Sequence, residues 1–202
     1  MLEMFVDTEY QELKDKYNPD ASIKKVNLEF VNEKFFNDFK KTINTDRRGE
    51  VGFLLKRKNG KYVVVRSRKY PKYVYRIPTG GIRFSENAID ALYREIKEEL
   101  GVEIKVETFK GIIEYEIRYK EDVIKFYSYV FGVTELSGNL IEDATENEIT
   151  DYKEVELCEL KEMAQRLINV EGAWKDWCGF RSELIQFYLG GEKLWKQKLK
   201  LQ

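Results

Sequence analysis

The segment GGIRFSENAIDALYREIKEELGV, residues 80–102, constrains the fold of this chain more than any other. Two glycines interrupt a β-prone run. Behind them Ile89, Leu92, Tyr93, Ile96 and Leu100 recur with helical period and share one arc. The spacing predicts a helix from about Ser85 to Leu100, with Ser85 as N-cap and Gly101 as the left-handed stop. On a wheel with Glu95 at zero, Glu98 falls at about −60° and Glu99 at about +40°. Three carboxylates therefore share a face beside the apolar arc, and Ala88 and Ala91 leave room above them. Adjacent carboxylates repel one another, and a cation relieves that cost. Gly80 and Gly81 let the backbone approach closely, so a loop carbonyl can join as a further oxygen ligand. Arg94, about 100° from Glu95 around the helix, is placed to reach the loop or to orient a neighbouring glutamate. Glu86 stands at the helix start, where the dipole favours a carboxylate.

The flanks read as a mixed sheet covered by helices. VGFLLKR and KYVVVRSR surround Asn59-Gly60, a short hairpin signal, and KYVYRIP follows as a third strand. After the helix come two long strands joined near Glu121-Asp122, a loop, a short strand YKEVEL, and helices over Glu159–Val170 and about Trp174–Leu189. In the first 45 residues Leu28, Val31, Phe35, Phe36, Phe39 and Ile43 form a helical stripe. Residues 1–45 are thus expected to be a helical extension, and residues 46–202 the main domain with its C-terminal helices.

Composition removes much chemistry. The chain of 202 residues contains no histidine and two cysteines, Cys158 and Cys178. That excludes a Ser-His-Asp triad, an imidazole zinc site and a four-thiolate cage. Catalysis is left mainly to carboxylates, whose oxygens favour hard cations such as Mg²⁺ or Mn²⁺. Net charge is −1, yet the signs are segregated: residues 51–85 hold ten Lys/Arg and no acid, residues 135–160 nine Asp/Glu and one Lys. Arg66, Arg68, Arg76 and Arg83 are candidates to bind substrate phosphates, set against solvent exposure as the ordinary alternative. Trp174, Trp177, Phe180, Arg181 and Tyr188 are expected to pack in the core. The rival is an aromatic stacked on a base with Arg181 beside it.

An isolated REIKEEL is an ordinary solvated helix face. Here, however, the spacing runs Gly80, five residues, Glu86, seven residues, Arg94-Glu95-Ile96, one residue, Glu98-Glu99, one residue, Gly101-Val102. This resembles the Nudix box with every fixed position filled. The resemblance implies a Nudix-like α/β/α sandwich with a mixed β-sheet, here carrying an N-terminal helical extension and C-terminal helices. It implies Mg²⁺- or Mn²⁺-dependent hydrolysis of a nucleoside diphosphate linked to another moiety. Gly80, Glu95, Glu98 and Glu99 would hold metal, Arg94 would orient a catalytic glutamate, and Glu86 would support the loop. A further glutamate from a later loop would be Glu148, with Glu146 and Glu142 as rivals. With no histidine, the base falls to a carboxylate or the cation's water, so activity should rise toward alkaline pH without a titration near about 6.5.

The expected partner is a small nucleotide diphosphate. Near-zero net charge disfavours nucleic acid, although an RNA 5′-end pyrophosphohydrolase and a non-catalytic nucleotide sensor remain as alternatives. No apolar run approaches the ~20 residues of a membrane span. The N-terminus lacks an apolar signal core, so a cytoplasmic location is expected. An amphipathic N-terminal helix could serve a homodimer.

Overall fold

In the computed structural model, residues 2–146 and 148–190 are described, without side chains for residues 2–6. In chain order the elements are α1 (Leu2–Tyr17), β1 (Ser22–Glu29), α2 (Glu33–Thr45), β2 (Arg47–Lys56), β3 (Tyr62–Ser67), β4 (Thr79–Arg83) and α3 (Ala88–Glu95). A π-helical turn (Ile96–Leu100) continues α3. Then come β5 (Glu103–Tyr119), β6 (Asp122–Ser137), β7 (Ile149–Val155), α4 (Leu157–Ile168) and α5 (Lys175–Tyr188), the last entered through a 3₁₀ turn at Gly172–Trp174.

The strands form one mixed sheet in the order β1-β5-β6-β2-β3-β7, with β4 paired to β2. β1 runs parallel to β5 and β2 parallel to β6, while the remaining pairs are antiparallel. Alternation along β2 sends Val51, Phe53 and Leu55 to one face and Leu54 to the other. On the first face α1 and α3 supply Leu13, Ala88, Ala91, Leu92 and Ile96. On the second, α2, α4 and α5 supply Phe36, Leu160, Leu167, Phe180 and Leu184. The result is the expected α/β/α sandwich. Each large apolar side chain buried in it contributes about 1.5–3 kcal/mol.

β5 shows how the register is kept. Its pairing with β6 slips at Val106/Thr108 and again at Phe109/Gly111. Each bulge adds a residue, so Ile104, Val106, Phe109 and Ile112 all reach the same core despite broken parity. At the second bulge Gly111 has φ 129°, and a Cβ there would meet Ser22 O at 1.8 Å. Only glycine lets β1 lie against β5 at this point.

Three local readings differ from the structure. Residues 22–29 are a strand of the sheet, not helix, because Val26 and its neighbours find a free edge at β5. α2 begins later than the stripe suggested: Asn32 caps it by accepting from Phe35 N at 3.1 Å, and Val31 lies exposed before it. The stripe's remaining members, Phe36, Phe39 and Ile43, pack into this chain's own core rather than standing free for a second copy. KYVYRIP is mostly loop, tied to the sheet by the bridge Val65↔Arg76 and by Phe53 N, which donates to Pro78 O at 3.1 Å. The Asn59-Gly60 turn forms with Gly60 at φ 89°, but β2 and β3 pair only at Lys56↔Tyr62 before they part, β2 to β6 and β4, β3 to β7.

Replacing Gly111 with Ala is expected to cost about 1–3 kcal/mol from backbone strain and from the displaced β1. Urea unfolding measures this, and an unchanged midpoint would contradict the account of the bulge.

Candidate active site

The carboxylates of residues 86–99 are organised by one guanidinium. Arg94 Nε donates to Glu86 Oε1 at 2.7 Å, and Nη2 donates to Glu86 Oε2 and Gly81 O, both at 2.8 Å. Nη1 donates to Glu95 Oε1 at 2.7 Å and Glu98 Oε2 at 2.9 Å. The helix is capped by Asn87, whose side chain accepts from Asp90 N, and not by Ser85. Glu86 therefore precedes the helix, where its Oε2 also accepts from Arg83 N at 3.2 Å. Burial works against ionisation of Glu86, yet Arg94 and the Arg83 amide hold its carboxyl below the usual range.

Glu95 and Glu99 sit deeper, at 9 % and 5 % exposure. Gly80 makes room for the first: a Cβ on it would lie 2.1 Å from Glu95 Cγ. Burial raises the Glu95 carboxyl despite Arg94 beside it. Burial pushes Glu99 further, to about 8, with Glu95, Glu148 and Glu146 adding repulsion and Arg76 offsetting part of it. Glu99 Oε2 is buried with no hydrogen-bond partner. A carboxylate oxygen in that state is a vacant site for a proton or a cation. The donor set is all oxygen, which suits a hard divalent ion. Among the described residues no three acids already converge at metal-ligating spacing, since Arg94 holds Glu95 and Glu98.

The π-helical turn brings in the later loop. Its wider winding ends at Gly101, with φ 72° and its N–H on Ile96 O. Glu98 O is left to accept from Thr145 N at 2.9 Å and Glu146 N at 3.0 Å, and Leu100 O accepts from Ile141 N at 2.8 Å. The loop so docked places Glu146 and Glu148 on the same cleft as Glu95, Glu98 and Glu99, while Glu142 stays outside it. Glu148 stands 3.8 Å from Lys69.

The cleft, about 240 Å³, is lined almost wholly by polar groups. Of the four candidate arginines it includes Arg76 and Arg83. Arg66 and Arg68 are not on it, which corrects the sequence reading for these two. Arg66 turns toward β7, where Asp151 takes its Nη2 at 3.3 Å and Tyr75 shares that carboxylate; Arg68 is exposed in the turn after β3. The cleft also includes Arg47, Tyr70 and Thr79, which no motif singles out, and Arg181 from α5.

A second buried ion pair backs the loop. Glu9 of α1 and Arg48 of β2 are 7 % and 4 % exposed. Arg48 Nη2 donates to both Glu9 oxygens, at 3.0 and 2.9 Å, and to Glu86 O at 2.8 Å. Glu9 Oε1 accepts from Ala88 N at 2.5 Å, at the first turn of α3. A residue 79 positions upstream thus helps cap the helix that carries the site, and no local signal announces it.

Residues 46–178 match the family model of the NUDIX domain. The chain is 35% identical over 77 residues to an RNA pyrophosphohydrolase of Hamiltonella defensa subsp. Acyrthosiphon pisum (strain 5AT), covering 38% of this chain and 46% of that protein. It is 36% identical over 70 residues to an 8-oxo-dGTP diphosphatase of Buchnera aphidicola subsp. Acyrthosiphon pisum (strain APS), covering 35% and 55%. The chain spans about half the length of the curated relatives it matches. Among solved structures, a NUDIX hydrolase from Nitrosomonas europaea shares the fold at a TM-score of 0.51 and 18% identity, over 72% of this chain and 90% of that one. No helix among the described residues is long and apolar enough to cross a membrane.

The Glu99 carboxyl gives a stability test without substrate. Its folded value of about 8 lies above the 4.5 of a free glutamate, so the folded state binds the extra proton between those values. This group's contribution is intact below 4.5 and is lost as pH rises toward 8. In EDTA, Glu99→Gln should gain melting temperature over the wild type between pH 5 and pH 8, at about 2–4 °C per kcal/mol. A difference that stays constant with pH would refute the assignment.

Proposed function

The chain belongs to the Nudix family, and on that premise we propose that it is a divalent-cation-dependent pyrophosphohydrolase. Its substrate would be a nucleoside diphosphate linked to another moiety, cleaved at the diphosphate by water attack on phosphorus. The observation that carries this reading is the buried, unpartnered Glu99 oxygen beside Glu95 at the glycine loop. Glu95, Glu98 and Glu99, with a carbonyl at Gly80, would hold Mg²⁺ or Mn²⁺. Such an ion, when bound, neutralises phosphate charge and lowers the pKa of water.

The protein's own groups divide the remaining tasks. Arg94 is a positioning residue: it fixes Glu95 and Glu98 against Gly81 O and Glu86 so that their geometry does not depend on solvent. Glu148, exposed on the docked loop, is a candidate to take the proton of the attacking water, and Glu146 is its neighbour on the same cleft. Arg83 and Arg76 would steady phosphate oxygens. The chemistry needs no imidazole, consistent with a chain that has none.

A second reading, hydrolysis at RNA 5′ ends, draws support from the Hamiltonella relative's name and from exposed Arg68, Lys69 and Lys72 in the loop after β3. Turnover on RNA that falls steeply with salt would favour it over the small-molecule reading.

Phosphate release from a nucleotide panel with Mg²⁺ and with Mn²⁺ tests the proposal. Glu98→Gln/Glu99→Gln should lower turnover by about 10²–10⁴-fold while the circular dichroism spectrum is unchanged. Wild-type rate in the double variant, or nucleotide binding with no product from any substrate, would overturn it. Cation uptake has its own signature. Glu99 at about 8 carries a proton near pH 7, and ligation needs the ionised form. Calorimetry in buffers of different ionisation enthalpy should show proton release on Mg²⁺ binding at pH 7, shrinking toward pH 9. Heats independent of buffer would rule out Glu99 as a ligand.

A further inference from the structure

Two guanidiniums on the cleft are anchored through Nη1 and leave Nη2 uncommitted. Arg76 is 4 % exposed, and its Nη1 donates to Ile77 O at 3.0 Å and Thr79 Oγ1 at 2.9 Å. Arg181 Nη1 lies between the two oxygens of Glu50, at 2.8 and 2.7 Å, and Ser128 Oγ fixes that carboxylate at 2.7 Å. In neither arginine does Nη2 hydrogen-bond to a described residue, and in both Nε is buried without a partner. No carboxylate among the described residues lies within 4.0 Å of Arg76.

Aromatic rings hold both groups in place. The Arg76 guanidinium sits 5.8 Å over the Tyr70 ring, and Tyr70 packs 4.2 Å from Trp177. Arg181 lies 5.5 Å over Trp177 and 4.7 Å over Phe180. Both side chains and Tyr70 line the cleft that contains the glutamates.

A cation withdrawn from water without an anion is an uncompensated charge. Arg76 has no ion-pair partner and meets Glu99 only through a longer-range attraction, and Arg181 shares one carboxylate that already serves Ser128. Two guanidiniums, each fixed by protein through Nη1 and uncommitted at Nη2, present donors that match the oxygens of a phosphoryl group. Neutral ligands would leave the charge unanswered, and a lone cation would be repelled.

We propose that Arg76 and Arg181 together bind a phosphoryl group of the substrate, distinct from the one handled by the carboxylate-bearing helix. The proposal rests on the reading of the site as one for diphosphate-containing substrates. Arg181 lies beyond residues 46–178, so this half of the subsite is supplied by the chain's own C-terminal helix. Glu50 tunes it by dividing the charge of Arg181.

Inorganic pyrophosphate, titrated calorimetrically into the full chain in EDTA, tests the subsite without any cation. The wild type should bind it. Arg76→Gln should weaken binding about tenfold or more. Arg181→Gln alone would bury Glu50 unpaired, so Glu50→Gln/Arg181→Gln, which removes the pair together, is the partner variant and should weaken binding similarly. Glu50→Gln alone releases Arg181 and should tighten binding. With Mg²⁺ and a nucleotide substrate, the two weakening variants should raise KM more than they lower kcat. No pyrophosphate binding by the wild type, or binding indifferent to all three variants, overturns the subsite even if turnover is normal. The expected binding pattern without turnover on any nucleotide keeps the subsite and overturns the hydrolase reading instead.

Discussion

Arg94 makes the site possible because it gathers like charges that would otherwise separate. It donates five hydrogen bonds, to Glu86, Glu95, Glu98 and the Gly81 carbonyl. Carboxylates within one helical turn repel, and the repulsion grows as burial removes water. A guanidinium answers this in a way an ammonium does not. It keeps its proton at any accessible pH and presents donors in a rigid plane. The loop before α3, the start of the helix and the edge of β4 are thereby one unit. Moving Glu86 would move Arg94, and moving Arg94 would release Glu95 and Glu98 together.

That unit is held from outside the segment that carries it. Arg48 grips the Glu86 carbonyl from β2, and Glu9 grips both Arg48 and the Ala88 amide from α1. A similar device joins the two ends of the chain. Asp176 of α5 accepts from Val31 N and Asn32 N, at 2.8 and 2.7 Å, just before α2. Lys24 of β1 pairs with Glu183 of α5 at 2.7 Å. Residues before 46 and after 178 lie outside the family match, yet they share the sheet, the second core and the cleft wall with it.

What could be read from the sequence follows the range of the interactions. The helix with its three glutamates was legible because its signals lie within 23 consecutive residues and repeat with a fixed period. Gly101 as stop and the two long strands were legible for the same reason. The π-helical turn was not, since no residue pattern distinguishes it from the end of an α-helix; it appears only once Glu98 O is needed by the loop at Thr145. β1 is not legible in the sequence because SIKKVNLE has few apolar residues and takes its identity from an edge 89 residues away, at Ser22↔Gly111. The four arginines of residues 66–83 looked alike in sequence. Whether each meets the cleft depends on a partner elsewhere, Asp151 for Arg66 and Thr79 for Arg76.

The electrostatics of the cleft are unbalanced locally even though the chain is nearly neutral. At the helix, Arg94 is committed to Glu86, Glu95 and Glu98, and burial, answered by no ion-pair partner, pushes the Glu99 carboxyl up to about 8. On another part of the same cleft, Arg76 has no carboxylate partner and Arg181 shares one. Arg76 offsets part of the rise at Glu99, yet the two groups form no ion pair, because Arg76 is anchored on Ile77 O and Thr79 Oγ1. Turning either arginine toward Glu99 would break its Thr79 or Glu50 contacts. A ligand that carries both signs relieves both imbalances at once, and a phosphate chain travelling with a divalent cation has that composition.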